Sequence, residues 1–415
     1  FLDRACLGAP SFRLTPHNTT TVSEICVELE GIPLAIEIAA AAVRNTPLRR
    51  ILSSLRRKQT LRAFCPDRAP RHATMTATLD WSYALLDEAE RTLFRRLGVF
   101  AGGWTVDAAE RVCAGGEIPA RAVEELLTRL VDKSLVAFES NEDPQRYRML
   151  ETVRRYAFAK LDTCGEANEV CDRHADFYLG LAEHVTTLFY GPEGPLWLPI
   201  LACEHDNMRS ALRNLYPPRP GDGRFARLCL ALAPYWAMCG NAHEGSEWVL
   251  RACGFEEEAV THVRAALHYH ASDLLIRLGK VAQAEGHGRT SHDLYAELRD
   301  ECGSAQALFV LAATELRKNR ALEAEALLQE SLERARAVGS ALDVAQILNR
   351  LGRAAYARGA ANEARAHFQE SRKAAIGAGS PRVEAVAAAN LAVTEHDAGN
   401  YEGAEALYEM SLERF

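Results

Sequence analysis

The chain has 415 residues, 48% of them apolar, which is enough to bury several cores. Its net charge of −8 argues against wholesale coating of nucleic acid, which needs a basic footprint. The longest apolar run, Leu34 to Val43, is broken by Glu37 and is too short to cross a bilayer.

The 48 basic residues are 42 arginines and six lysines, a skew that fits a GC-rich genome better than a binding site. No CxxC pair exists among the eleven cysteines, so a zinc knuckle or thioredoxin-like site has no support. The reading is of reduced thiols in a cytoplasmic protein. The chain starts at Phe1 and stops at Phe415 inside a helical pattern, and both ends read as cuts.

In chain order, Thr21 with Glu24 predicts a capping box and a helix to about Leu29. Gly31 stops it. Pro33 restarts the chain as a nearly all-apolar, buried helix, because proline's missing N–H is not needed in a first turn. Leu79–Leu86 reads as a short helix. Asp87 with Glu90 is a second capping box, Ala101-Gly102-Gly103 a break, and Thr105 a cap for the next helix. Pro119 opens a helix with Val123, Leu126, Leu127 and Leu130 on one face. A strand at Leu135–Phe138, a turn at Asn141–Pro144 and a returning strand at Arg146–Met149 make a hairpin. A helix from Glu151 to about Leu161 closes a winged-helix pattern. The helix after Pro119 carries Arg121 and Arg129 against Glu124 and Glu125, so the charge excess of a groove-reading helix is missing. Helical pattern continues to Leu215, and Pro217–Gly223 reads as a linker.

Beyond the linker the sequence repeats every 40 residues. Gly279, Asn319, Gly359 and Gly399 form one family of positions; Ala284, Ala324, Ala364 and Ala404 another; Ser291, Ser331, Ser371 and Ser411 a third. Gly or Asn suits a left-handed helix end, and small residues let paired helices approach. Leu328, Phe368 and Tyr408 are read as plugs for the neighbouring unit; Gly288, in the same register, supplies none and predicts a looser first unit. A degenerate unit fits upstream at Leu232, Ala233, Gly240, Gly245 and Val249. The spacing resembles the tetratricopeptide repeat lengthened from its usual period, a stack of helix pairs with a curved binding surface. His262, His268 and His270 fit no helical ligand face and read as exposed.

These motifs together resemble the large bacterial regulators of the STAND class, the signal-transducing ATPases that include AfsR- and MalT-like proteins. Gly31-Ile-Pro-Leu-Ala35 resembles the GLPLA motif that follows their nucleotide-binding core. Arg71-His-Ala-Thr74, Leu79-Asp-Trp-Ser-Tyr83, Leu97-Gly-Val-Phe-Ala-Gly-Gly103, Leu130-Val-Asp-Lys-Ser-Leu-Val136 and Tyr147–Ala157 resemble their winged-helix segment. Glu204-His-Asp-Asn207 and Glu244-Gly245 with Trp248 look like their early helical repeats.

The resemblance implies a mainly α fold in four parts. Residues 1–66 would be the C-terminal helical (ARC-type) part of an NB-ARC-type nucleotide-binding module, and 67–163 a winged helix with a small β-hairpin. Residues 164–216 would be a helical connector, and 224–415 an α–α superhelix of tetratricopeptide-like repeats. It also implies that Pro33, with Gly31, lies near a bound adenine nucleotide. Related proteins sense the nucleotide phosphate through the His of a Met-His-Asp motif. Met149-Leu150-Glu151 stands there, and Leu150 has neither a donor nor a charge.

No GxxxxGK[ST] loop occurs, so the chain by itself has no phosphate cradle and is expected not to be an enzyme; ATP or ADP would belong to the full-length protein. The expected role is the sensor and autoinhibitory portion of a nucleotide-switched transcriptional regulator. A protein or small-molecule inducer would sit on the repeats, DNA would be contacted only through a domain outside this chain, no membrane is involved, and self-association accompanies activation. The alternative is a stand-alone repeat scaffold without a working switch; a third reading attaches a catalytic output such as a nucleotide cyclase upstream.

Overall fold

The computed structural model describes residues 1–29, 31–62, 70–140, 145–255 and 261–414. It is built almost wholly of helices and divides into two units. One comprises Phe1–Tyr178 and Glu204–Asn214; the other comprises Leu179–Cys203 and Leu215–Phe415. No helix of the described residues is long and apolar enough to cross a membrane.

The first unit begins with α1 (Leu2–Gly8), α2 (Thr19–Glu28), α3 (Pro33–Ala41), α4 (Leu48–Arg62) and α5 (Pro70–Ala84). The expected capping box at Thr21 does not form. The helix starts three residues earlier, after Asn18, whose Oδ1 accepts from the Thr15 N–H at 2.8 Å and so serves the preceding turn. Gly31 is left-handed at φ +69, and its N–H donates to the Cys26 carbonyl at 3.2 Å, a bond that closes off α2. Pro33 then occupies the first turn of α3, as its fixed φ favours. Ile25, Leu29, Ala35, Ala39, Ile51, Leu55 and Trp81 bury one core between these helices.

The winged helix follows: α6 (Glu88–Leu97), β1 (Trp104–Thr105), α7 (Val106–Cys113), α8 (Val123–Asp132), β2 (Ala137–Ser140), β3 (Arg146–Arg148) and α9 (Glu151–Thr163). The Asp87–Glu90 capping box is present with both reciprocal bonds, and Thr105 caps α7. The expected hairpin is a three-stranded sheet of order β1-β3-β2, because Trp104 pairs with Tyr147 across β3. Two residues are too short to announce a strand in sequence. The turn expected at Asn141–Pro144 lies outside the described residues. Gly98 has a steric reason: a Cβ there would lie 2.5 Å from the Phe158 backbone nitrogen. Two longer helices, α10 (Ala167–Leu188) and α11 (Gly194–Leu215), occupy the expected connector.

In the second unit the helices alternate as antiparallel pairs. They are α12 (Arg224–Met238) with α13 (Ala242–Phe255), α14 (His262–Arg277) with α15 (Val281–Glu297), and α16 (Glu301–Arg317) with α17 (Ala321–Ala337). Then come α18 (Ala341–Ala357) with α19 (Ala361–Gly377), and α20 (Pro381–Asp397) with α21 (Tyr401–Arg414). Gly279, Asn319, Gly359 and Gly399 are all left-handed, with φ between +60 and +81, and each ends the first helix of a pair.

The serine family has a role that spacing did not reveal. Ser291, Ser331, Ser371 and Ser411 donate to the carbonyls of Ala265, Ala305, Ala345 and Ala385 at 2.9, 2.7, 2.7 and 3.0 Å. One hydroxyl per unit ties the second helix to the first. The expected looseness at Gly288 is absent: a Cβ there would meet Leu311 at 2.9 Å, because Leu311 leans into the space a plug would fill. Leu328 and Phe368 do plug their neighbours, whereas Tyr408 is 40% exposed.

Candidate functional site

Three groups of residues bear on function. The first is the set carried over by resemblance. Gly31 and Pro33 are both exposed at the head of α3, and Leu150 is the exposed N-cap residue of α9. The structure does not bring Gly31, Pro33 and Leu150 to the lining of any cavity described below.

The second is the polar interior of the winged-helix unit. Glu90 is fully buried yet doubly paired: Lys133 Nζ donates to its two oxygens at 2.6 and 2.5 Å, and Arg129 lies 2.9 Å away. Arg129 also pairs with Asp87. The basic side chains in the second half of α8 and just after it are therefore spent inside the unit. Arg121, in the turn just before α8, and Glu124 and Glu125 on α8 are open to solvent, with no positive excess.

The Glu204-His-Asp-Asn207 motif locks the Ala101–Gly103 loop. Asn207 Oδ1 accepts from the Ala101 N–H at 2.8 Å, and its Nδ2 donates to the Gly103 carbonyl at 2.7 Å and to Glu204 at 2.8 Å. Glu204 also accepts from the buried Tyr178 hydroxyl at 2.9 Å and pairs with Arg146 on β3. Burial pushes the neighbouring His174 down to about 4 and the Tyr178 hydroxyl well up, the latter helped by the Glu204 charge. This network is a structural clasp: Asn207, Glu204 and Tyr178 satisfy one another and the loop, while the buried Nε2 of the neighbouring His174 has no hydrogen-bond partner among the described residues. A hollow of about 610 Å³ beside it is lined by Arg154, Phe158, Asp162 and Arg213, but Arg154 is neutralised by Glu151 at 2.7 Å.

The third is in the repeat unit, on the first helices of successive pairs. Two adjoining cavities of about 460 and about 360 Å³ share Asp273, Arg277, Arg350 and Arg353. Arg317 completes one; Tyr190, Tyr269, Phe309 and Arg382 complete the other. The lining follows helix geometry. Tyr269, Asp273 and Arg277 are four apart on α14, Phe309, Ala313 and Arg317 four apart on α16, and Asn349 and Arg353 repeat the register on α18. Five arginines thus face one aspartate. Asp273 is taken by Arg277 at 3.1 Å.

Among the described residues no carboxylate comes within 4.0 Å of Arg317, Arg350 or Arg353. Arg350 instead lies over the Phe309 ring, 3.9 Å from its centre. Burial pulls Arg350 down to about 10 against the opposing charge of Asp273, and Arg353 in the same direction, and neighbouring arginines add to both. The small residues of the repeat dominate its sequence pattern and hide this set. The signal was there in the arginines on the first helices: Arg277 and Arg317, forty apart, and Arg350 and Arg353 one turn apart on α18.

One trio suits a metal by residue type. Cys253, His268 and His287 place one ligand atom each within 4.8 Å of one another. The expectation that His268 and His270 are exposed is corrected here. Both are mostly buried between helices, and burial pushes each down to about 4. His268 Nδ1 and His287 Nδ1 are 2.9 Å apart, a hydrogen-bond distance. Two nitrogens on a tetrahedral zinc at ~2.05 Å would stand about 3.3 Å apart, so the present geometry is that of a neutral imidazole pair sharing a proton.

The geometry defines the class: a winged helix and a tetratricopeptide-type solenoid on one chain. The family description "winged helix-turn-helix domain" matches residues 86–162 and "tetratricopeptide repeat" matches 343–415. The chain is related to a putative HTH-type transcriptional regulator of Mycobacterium tuberculosis, 40% identical over 271 residues, covering 64% of this chain and 30% of the relative. The regulatory protein AfsR of Streptomyces griseus is 28% identical over 375 residues, covering 79% of this chain and 35% of that protein. The chain therefore spans only about a third of the length of the curated relatives it matches. A STAND protein with a tetratricopeptide repeat sensor from Pyrococcus horikoshii shares the fold, with a TM-score of 0.50 at 15% identity over 99% of this chain and 58% of that one. The resemblance read from the motifs agrees with these relatives.

Proposed function

We propose that this chain is the sensor and autoinhibitory portion of a nucleotide-switched transcriptional regulator in the cytoplasm. The observation that carries the reading is the order of parts: a Gly31–Pro33 helix restart, a winged helix, then a ligand-sized solenoid surface, in a chain related to HTH-type regulators and AfsR. A protein or small-molecule inducer binds the solenoid and biases a closed-to-open equilibrium, to the extent that it prefers one state. ATP or ADP is held by the full-length protein, this chain performs no hydrolysis itself, and self-association follows opening. DNA is bound by another domain, because the paired Arg129 and Lys133 leave α8 without a phosphate-facing charge excess.

Nucleotide binding by the full-length protein, measured by equilibrium titration with ADP and ATP, tests this. Micromolar binding is expected, and an upstream sequence without a phosphate-binding loop overturns it. The exposed Leu150, at the place of the phosphate-sensing His, favours a second reading as a scaffold without a switch. That reading predicts no nucleotide binding in the same titration.

A further inference from the structure

We propose that the arginine-lined hollow of the solenoid is a binding site for a small organic polyanion, one carrying phosphate or several carboxylates beside a flat apolar part. The inference rests on reading the solenoid as the ligand-binding surface and names the chemistry of that ligand.

In a chain of net charge −8, chance would scatter arginines among carboxylates, as the outer surface does: Arg334, Arg336 and Arg358 each pair with a glutamate within 3.1 Å. The hollow is different. Among the described residues, Arg317, Arg350 and Arg353 lack a carboxylate partner, and the one aspartate in the lining already serves Arg277. Like charges on facing helices repel in a partly desolvated hollow. An anion removes that cost and gains charge-assisted hydrogen bonds, which planar guanidinium forks make in pairs to phosphate or carboxylate.

Burial of Arg350 lowers its proton affinity to about 10, so it remains a cation at neutral pH. Phe309 and Tyr269 then set the second half of the ligand: an aromatic wall beside the cations accepts a flat ring or an alkyl body. Size decides between a metabolite and a peptide. Cavities of about 460 and about 360 Å³ fall in the few-hundred Å³ range of small-molecule pockets.

The test uses the 415-residue chain and two probes, inorganic pyrophosphate and a hexaglutamate peptide, titrated calorimetrically at low and near-physiological salt. Pyrophosphate is expected to bind, more weakly at higher salt. Arg350→Gln and Arg353→Gln should each weaken it about tenfold, and Arg336→Gln, which lies outside the hollow, should leave it unchanged. Thermal melts check that every variant folds; Arg353, more open to solvent than Arg350, serves if Arg350→Gln does not fold. Absence of pyrophosphate binding overturns the proposal, as does equal weakening by all three variants or preferential binding of hexaglutamate. The nucleotide titration of the full-length protein reads a different site, so either idea can fail while the other stands.

Discussion

Three backbone groups of the Ala101–Gly103 loop depend on one side chain, that of Asn207, whose amide both accepts and donates there. Aspartate has the same shape but cannot donate, and alanine can do neither. Asn207→Ala should therefore cost about 1–3 kcal/mol, the cost of leaving buried polar groups unpaired, and Asn207→Asp should cost at least as much. Urea denaturation followed by tryptophan fluorescence measures both. His174 makes a pH prediction. Its folded pKa is depressed to about 4, whereas the unfolded imidazole titrates near 6.5. The unfolded chain thus binds a proton that the folded chain refuses in between. Stability is complete above about pH 6.5 and falls as pH drops toward 4, by up to about 3 kcal/mol from this residue. Urea midpoints across that range should slope in the wild type and slope less steeply in His174→Gln, the remainder coming from the buried His268 and His270. The Asn207 contacts were not legible in sequence, because they join residues more than a hundred positions apart.

Within the helix pairs, small and large residues face each other at fixed register. A Cβ on Gly352 would lie 2.5 Å from the Phe368 ring, itself buried at 2% exposure. Gly352→Ala should destabilise the repeat unit by about 1–3 kcal/mol through overpacking. Phe368→Ala should cost about 3–5 kcal/mol through a cavity. The double variant should cost less than the sum, because the new methyl enters the vacated space. Chemical denaturation of the four proteins closes the cycle. Ser331→Ala should cost about 1 kcal/mol by losing the bond to Ala305. The 40-residue register was legible because a helix pair can be repeated only by repeating its close contacts and its left-handed ends. The starts of individual helices were less so. Asn18, rather than Thr21, precedes α2, and its side chain bonds the preceding turn instead of capping the helix, a choice that only the surrounding turn makes.

Over the whole molecule, the net charge conceals how the charges are arranged. The winged-helix unit ties Arg129, Lys133 and Arg146 to buried carboxylates, while the repeat unit gathers Arg317, Arg350 and Arg353, which have no carboxylate partner among the described residues, in one hollow. The chain should therefore bind random duplex DNA more weakly than about 10⁻⁴ M at physiological salt, and Arg121→Ala should not change the result. Mobility-shift titration checks this, and a clear complex sensitive to Arg121 would contradict it. The charge sum of α8 already pointed this way in sequence, and the ion pairs supply the reason.

The sequence alone determined the mainly α class, the winged-helix segment and the repeat, because hydrophobic periodicity, caps and small-residue spacing act over a few turns of chain. It also carried the motifs on which the relationship to regulators rests. Tertiary structure decided what those residues touch: the serine ties between helices, the third strand, Leu311 in the space left by Gly288, and the arginines gathered in one hollow. Such contacts depend on which faces of distant helices meet. A spacing rule along one chain holds no record of the partner until the units have stacked.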